Sequence, residues 1–112
     1  MPIEIRAYLD ETGRSPFETW FDTLDPQAAA KVTTALTRLE HGNTSNIEPV
    51  GSGVSELRIH WGPGYRIYFG KDGSALVILL CGGTKKRQPK DIQTAKDLWK
   101  LYKTRKTRLK ER

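Results

Sequence analysis

Ile3, Ile5 and Ala7 alternate with Glu4 and Arg6, the two-residue period of a half-buried strand. Residues 10–14, with Gly13 among them, break that pattern. Ser15, Pro16 and Glu18 then form a helix-start signature, in which a hydroxyl caps the backbone, a proline fits the first turn and a glutamate closes the box. Phe17, Trp20, Phe21 and Leu24 give this short helix an apolar side. Asp25 and Pro26 repeat the start signal. Ala28, Val32, Ala35, Leu36 and Leu39 follow at helical spacing until Gly42 and Asn43 end the run. Residues 43–53 are rich in Gly, Ser, Thr, Asn and Pro and read as a surface loop with Ile47 and Val50 as anchors.

Three strands are expected next, near residues 54–61, 65–69 and 75–81. Gly82 and Gly83 close the last of them. A final helix begins between Gln88 and Asp91 and presents Ile92, Ala95, Leu98, Trp99 and Tyr102 on its apolar side. Residues 103–112 form a basic tail, which reads by default as disordered polymer. The order strand, helix, helix, three strands, helix predicts one α+β domain over residues 1–102, with the tail beyond it. Its core is a mostly antiparallel four-stranded sheet, with the two N-terminal helices on one face and the C-terminal helix on part of the other. Leu76 to Cys81 is apolar throughout, so that strand belongs inside the sheet.

Within the first hairpin, Leu57, Ile59 and Trp61 share one face, and Tyr65, Ile67 and Phe69 share one face of the partner strand. Taking Gly62, Pro63 and Gly64 as the loop pairs Trp61 with Tyr65, Ile59 with Ile67 and Leu57 with Phe69. A slip of one residue would oppose Ile59 to Arg66 and mix the faces, which burial penalises. The same register sets His60 across from Arg66 and Arg58 across from Tyr68. Arginines, an imidazole and a phenol thus gather on the sheet face away from the first helices, with Lys85, Lys86 and Arg87 at its border.

The chain has 112 residues and a formal net charge of +6, which implies attraction to an anionic partner without choosing among RNA, DNA, acidic protein and membrane surface. A single cysteine, Cys81, forbids an internal disulfide and suits a reducing, cytoplasmic compartment. No run of apolar residues approaches the roughly 20 of a membrane span. His41, His60 and Cys81 lie too far apart in sequence to suggest a metal cluster, and no cofactor motif is present, so neither a metal nor a cofactor is expected. A phosphodiester on the proposed face would meet bidentate arginine donors, and Arg and Lys can stabilise the charge of a pentacoordinate phosphorane. His60 or a lysine of depressed pKa can shuttle protons, and Tyr68 can stack on a base. Asp91 reads as a cap of the final helix, and Arg58 and Arg66 can equally be sheet residues with carboxylate partners such as Glu56.

The stretch Glu56-Leu57-Arg58-Ile59, then residues 62–69, then Leu79 to Lys85, then Gln88 and Asp91-Ile92, resembles the addiction-module killer proteins, a HigB-like branch of the RelE/ParE toxin superfamily. Phe17, Trp20 and Phe21 extend the resemblance over nearly the whole chain. It implies a RelE-like fold and a ribosome-dependent mRNA endonuclease, working without metal through the ribose 2′-hydroxyl. It also implies an antitoxin partner, in that branch usually a helix-turn-helix DNA-binding protein. Arg66, Arg58 and Lys85 carry over as catalytic positions, and His60 joins them from the hairpin register. Lys86, Arg87, Tyr68 and Gln88 are the expected RNA contacts. Two other functions stay open: a ParE-like inhibitor that acts by binding DNA gyrase, and a degenerate member that only binds its antitoxin.

Overall fold

A computed structural model describes residues 2–110 of the chain, with side chains through Leu109. Its sheet has five strands: β1 (Glu4–Ala7), β2 (Ile47–Gly51), β3 (Val54–Ile59), β4 (Tyr65–Lys71) and β5 (Leu76–Thr84). Their spatial order is β1-β5-β4-β3-β2. Strands β2 to β5 run antiparallel to their neighbours, whereas β1 pairs parallel with β5, from Glu4 opposite Leu76 to Ala7 opposite Leu79. The sheet is therefore mixed and five-stranded, which corrects the expected four-stranded antiparallel one.

The added strand is the segment expected to be a surface loop. Pro49 removes one amide from the ladder, and β2 tolerates it because it lies at the sheet edge with β3 as its one neighbour. Gly51, Ser52 and Gly53 all adopt positive φ, and this left-handed run reverses the chain into β3.

Helices α1 (Pro16–Phe21) and α2 (Pro26–Glu40) begin as their sequence signatures require. The Ser15 hydroxyl accepts from the Glu18 amide at 3.0 Å and the Asp25 carboxylate accepts from the Ala28 amide at 2.8 Å. Each such cap contributes about 0.5–2 kcal/mol. Both helices press on one sheet face, where Phe17, Ala28, Val32 and Leu39 meet Leu57, Ile67, Phe69, Val77 and Leu79. Helix α3 (Gln88–Lys110) covers the other face, where Ala95 and Trp99 meet Val54, Tyr68, Ile78 and Leu80.

Residues 103–110, expected as a tail, continue α3. Tyr102 donates to the Asp72 carboxylate at 2.5 Å, Lys106 pairs with the same carboxylate, and Arg105 donates to the Leu9 carbonyl at 2.7 Å. The last two residues of the expected tail, 111 and 112, lie outside the described residues.

Gly82 and Gly83 do not close β5; they continue it to Thr84. A bulge between the Tyr68–Cys81 and Phe69–Leu79 pairs shifts the register there. Beyond it, a Cβ on Gly82 would come within 2.3 Å of the Trp20 ring, and one on Gly83 within 1.9 Å of an Asp91 carboxylate oxygen. The two glycines are the places where α1 and α3 reach the sheet.

Candidate nucleic-acid interface

The β3–β4 hairpin pairs Ile59 with Tyr65, Leu57 with Ile67 and Ser55 with Phe69. This is two residues away from the expected register. Residues 60–64 form the loop, with Gly62 and Gly64 at positive φ and the Gly64 amide donating to the Trp61 carbonyl at 3.0 Å. A two-residue shift keeps every side chain on its face and changes only which ones meet. Arg58 is opposite Arg66, Tyr68 is opposite Glu56, and His60 leaves the ladder for the exposed loop.

Beneath the first turn of α3, charges form two rows across the sheet. Glu48 stands opposite Glu56 in one row, and Arg58 opposite Arg66 in the next. Like charges side by side are unfavourable, and diagonal pairing offsets them. Arg58 Nη2 reaches Glu48 at 2.5 Å, and Arg66 Nη1 lies 3.6 Å from Glu56. Gln88, from the start of α3, donates its amide to both Glu56 oxygens at 3.2 and 2.8 Å. Arg66 is only 8% exposed and Glu56 4%. Tyr68 is wholly enclosed, so its ring belongs to the α3-side core and offers no face to a base in this arrangement.

Several buried polar atoms here have no hydrogen-bond partner: Nε of Arg58, Nε and Nη1 of Arg66, the Tyr68 hydroxyl and one Asp91 carboxylate oxygen. Burial holds the Asp91 carboxyl above the usual carboxylate range, against the opposing pull of Arg87 and Lys90. Burial likewise raises the Tyr68 phenol, with Glu56 and Asp91 adding to it. Desolvation pushes the Cys81 thiol up to about 12. Its Sγ lies 3.7 Å from the Asp91 carbonyl oxygen, on the protein side of the helix.

The exposed cations stand elsewhere, at the end of the sheet. Lys85, Lys86 and Arg87 occupy a single 3-10 turn between β5 and α3. The Lys85 amide donates to the Gly64 carbonyl at 2.8 Å, which ties this turn to the loop carrying His60 and Trp61. All three cations are exposed, and among the described residues no carboxylate forms a salt bridge with them.

A second exposed basic surface was not foreseen. Between α2 and the free end of β3 lies a groove of about 350 Å³, lined by Lys31 and Arg38 together with Asn43, Asn46, His60 and Trp61. Its one sequence signal was the recurrence of Lys31, Thr34 and Arg38 on the polar side of α2, which reads as an ordinary solvated helix face. Among the described residues, no group of three or more His, Cys, Asp or Glu side chains gathers as a metal site would require. No described helix is long and apolar enough to cross a membrane.

A family model of phage-derived Gp49-like proteins (DUF891) matches residues 19–107, from α1 almost to the end of α3. The chain belongs to this family. The Gp49-like family is distinct by name from RelE/ParE, though related to it as a toxin-like family, so the HigB-like assignment is corrected. Gp49-like proteins are toxin–antitoxin-like and associated with addiction modules. This Gp49-like chain is also 46% identical over 97 residues to an uncharacterized protein of Haemophilus influenzae (strain ATCC 51907 / DSM 11121 / KW20 / Rd), covering 86% of this chain and 92% of that relative. The matched segment includes the hairpin loop, the basic turn and α2, and therefore both exposed cationic surfaces.

Proposed function

We propose that this Gp49-like protein is the toxin of a type II toxin–antitoxin module and that it acts by cutting RNA. The observation that carries the reading is the pairing of an unengaged turn, Lys85 to Arg87, with the loop holding an exposed imidazole beside an indole. In the reaction, a ribose 2′-hydroxyl attacks the adjacent phosphorus. Its proton passes to a base, the bond to the 5′-oxygen breaks with protonation of that oxygen, and a 2′,3′-cyclic phosphate remains. His60 moves these protons. Lys85, Lys86 and Arg87 hold the phosphate and offset the charge that grows on its oxygens in the transition state. Arg58 and Arg66, each held by a glutamate, support this end of the sheet from beneath and do not grip substrate directly. The message on the ribosome is the proposed substrate. An antitoxin with an acidic segment over the basic turn is the proposed inhibitor.

The test is induction of the chain in cells lacking an antitoxin, followed by growth measurement and sequencing of RNA 5′ ends. Wild type is expected to arrest growth and create new 5′ ends within messages. His60→Ala and Lys85→Ala, both at exposed positions, are expected to lose both effects while keeping the native circular dichroism spectrum. Arrest with intact messages would refute RNA cleavage, and absence of arrest would refute the toxin reading.

A further inference from the structure

The groove between α2 and the end of β3 shares only His60 with the cleavage just described, and its chemistry is one-sided. Lys31 and Arg38 stand on its α2 wall, Arg58 of β3 with His60 and Trp61 of the hairpin loop on the other, and no carboxylate lines it. Lys31 and Arg38 form no salt bridge among the described residues, whereas Arg58 pairs with Glu48. The Trp61 ring packs on Tyr65 with centroids 6.3 Å apart and planes 22° from parallel, so the indole is held in place without a ligand. The Lys31 ammonium lies 5.9 Å from the centroid of that indole. Asn43 spends its carboxamide oxygen on the Ser45 amide and hydroxyl, and its side-chain amide forms no hydrogen bond among the described residues.

A fixed indole flanked by cations and amide donors is the chemistry that holds one nucleotide of a single strand: a base stacks on the aromatic face while its phosphates meet the cations. The groove volume of about 350 Å³ falls at the small end of ligand pockets, which span about 300–1,000 Å³. We infer that this groove is a single-stranded RNA subsite, seating a nucleotide next to the one cleaved at the Lys85–Arg87 turn. The inference rests on the ribonuclease reading and extends it. The loop of residues 60–64 joins the two surfaces, because its His60 and Trp61 line the groove and its Gly64 carbonyl holds Lys85. A strand leaving the basic turn therefore passes His60 and enters the groove. The alternative path, over the sheet face beneath α3, offers a polyanion little, because Arg58 and Arg66 are paired there with Glu48 and Glu56 and Arg66 is buried.

The test uses the full chain and a 2′-O-methyl single-stranded RNA oligonucleotide, which cannot be cut, with affinity read by fluorescence anisotropy across a salt series. Lys31→Ala/Arg38→Ala is expected to weaken binding by on the order of 10-fold, and to flatten the dependence of log affinity on log salt by about 0.7 per lost phosphate contact. Trp61→Leu is expected to weaken binding by about 5-fold or more with the salt slope unchanged, since stacking on an aromatic side chain carries no counterion release. Lys31 and Arg38 are exposed, Trp61 is half-buried against the α1–α2 core, and circular dichroism checks that the variants fold. Unchanged affinity and slope in the double variant, with Lys85→Ala weakened, would overturn the groove while leaving the ribonuclease reading intact. No binding by wild type would overturn both. An equal affinity for an acidic peptide, lost with the same two substitutions, would reassign the groove to a protein partner and overturn its assignment to RNA.

Discussion

Replacing Glu56 with leucine removes the carboxylate that, among the described residues, forms a salt bridge with the Arg66 guanidinium, which water barely reaches. Arg66 is 8% exposed and its Nη1 stands 3.6 Å from Glu56, too far for a good hydrogen bond, so the attraction is Coulombic. At an effective dielectric constant of about 20, unit charges at that separation attract by about 4.6 kcal/mol. Desolvation of both groups offsets most of this while the pair is intact. Removing one partner leaves the other charge buried and uncompensated, which costs about 3–5 kcal/mol. Gln88 also loses its acceptor, although it is only partly enclosed and can turn to water. Of a total stability of about 5–15 kcal/mol for a domain of this class, the loss is about a fifth or more. With roughly 4 °C per kcal/mol for a domain of this size, Tm falls by about 12–20 °C.

The assay is urea unfolding followed by tryptophan fluorescence, on Glu56→Leu, Arg66→Met and the double variant. The single changes are expected to be costly. The double change, which fills the same space with apolar groups, should stay within about 1 kcal/mol of wild type. Additive losses in the double variant, or a loss under about 1 kcal/mol in Glu56→Leu, would refute the buried-pair argument. The result bears on function as well, because Arg66→Ala toxicity cannot be read as lost catalysis while the same change strands Glu56. A folded double variant without activity would separate the two.

Asp91 has its carboxyl pKa raised by burial, so the native state binds that proton more tightly than the unfolded chain does, and ionising Asp91 costs stability as pH rises through the window above the ordinary value of 3.8. Asp91→Asn is expected to gain stability relative to wild type as pH rises from below that window to neutrality; a difference independent of pH in paired urea titrations would contradict this. Gly70→Ala would set a Cβ 2.5–2.6 Å from ring carbons of Trp99, and it is expected to lose about 1–3 kcal/mol or more by overpacking. Trp99→Leu in the same chain should recover part of that loss, and an unchanged urea midpoint for Gly70→Ala alone would disprove the close approach.

The parity of each strand could be read from the chain, and what lay opposite what could not. Alternation placed Leu57, Ile59, Tyr65, Ile67 and Phe69 together, and the structure buries them on the α1–α2 side. The register itself is degenerate under a two-residue shift, since both settings bury the same faces. Only the loop distinguishes them, and Gly62-Pro63-Gly64 accommodates a turn that also draws in His60 and Trp61. β2 was hidden by Pro49 and by polar neighbours, because an edge strand with one partner does not need a full apolar face. The length of α3 was hidden for another reason. Residues beyond Tyr102 have little apolar pattern, and the helix is held by polar anchors, Arg105 to Leu9 and Lys106 to Asp72, whose partners are distant in sequence.

The candidate site divides along the same line. Sequence identifies which side chains are cationic, and pairing decides which of those charges remain available to a ligand. Arg58 and Arg66 were selected for sharing a face; Glu56 on that face was expected as a carboxylate partner and does pair with Arg66, whereas Glu48, in the segment read as a loop, was hidden. Their field is largely cancelled at short range, and α3 closes over Arg66. The net charge of +6 must therefore be expressed at other places. Among the described residues Lys85 to Arg87, Lys31 and Arg38 form no salt bridge, although Arg87 acts on the Asp91 carboxyl, and all stand exposed around one loop. An approaching polyanion responds to uncompensated charge, summed over about a Debye length of roughly 8–10 Å. On that criterion the His60–Trp61 loop, with its exposed cations, presents a polyanion with more uncompensated charge than the row of arginines does, as do the exposed Lys100, Lys103 and Arg108 of α3.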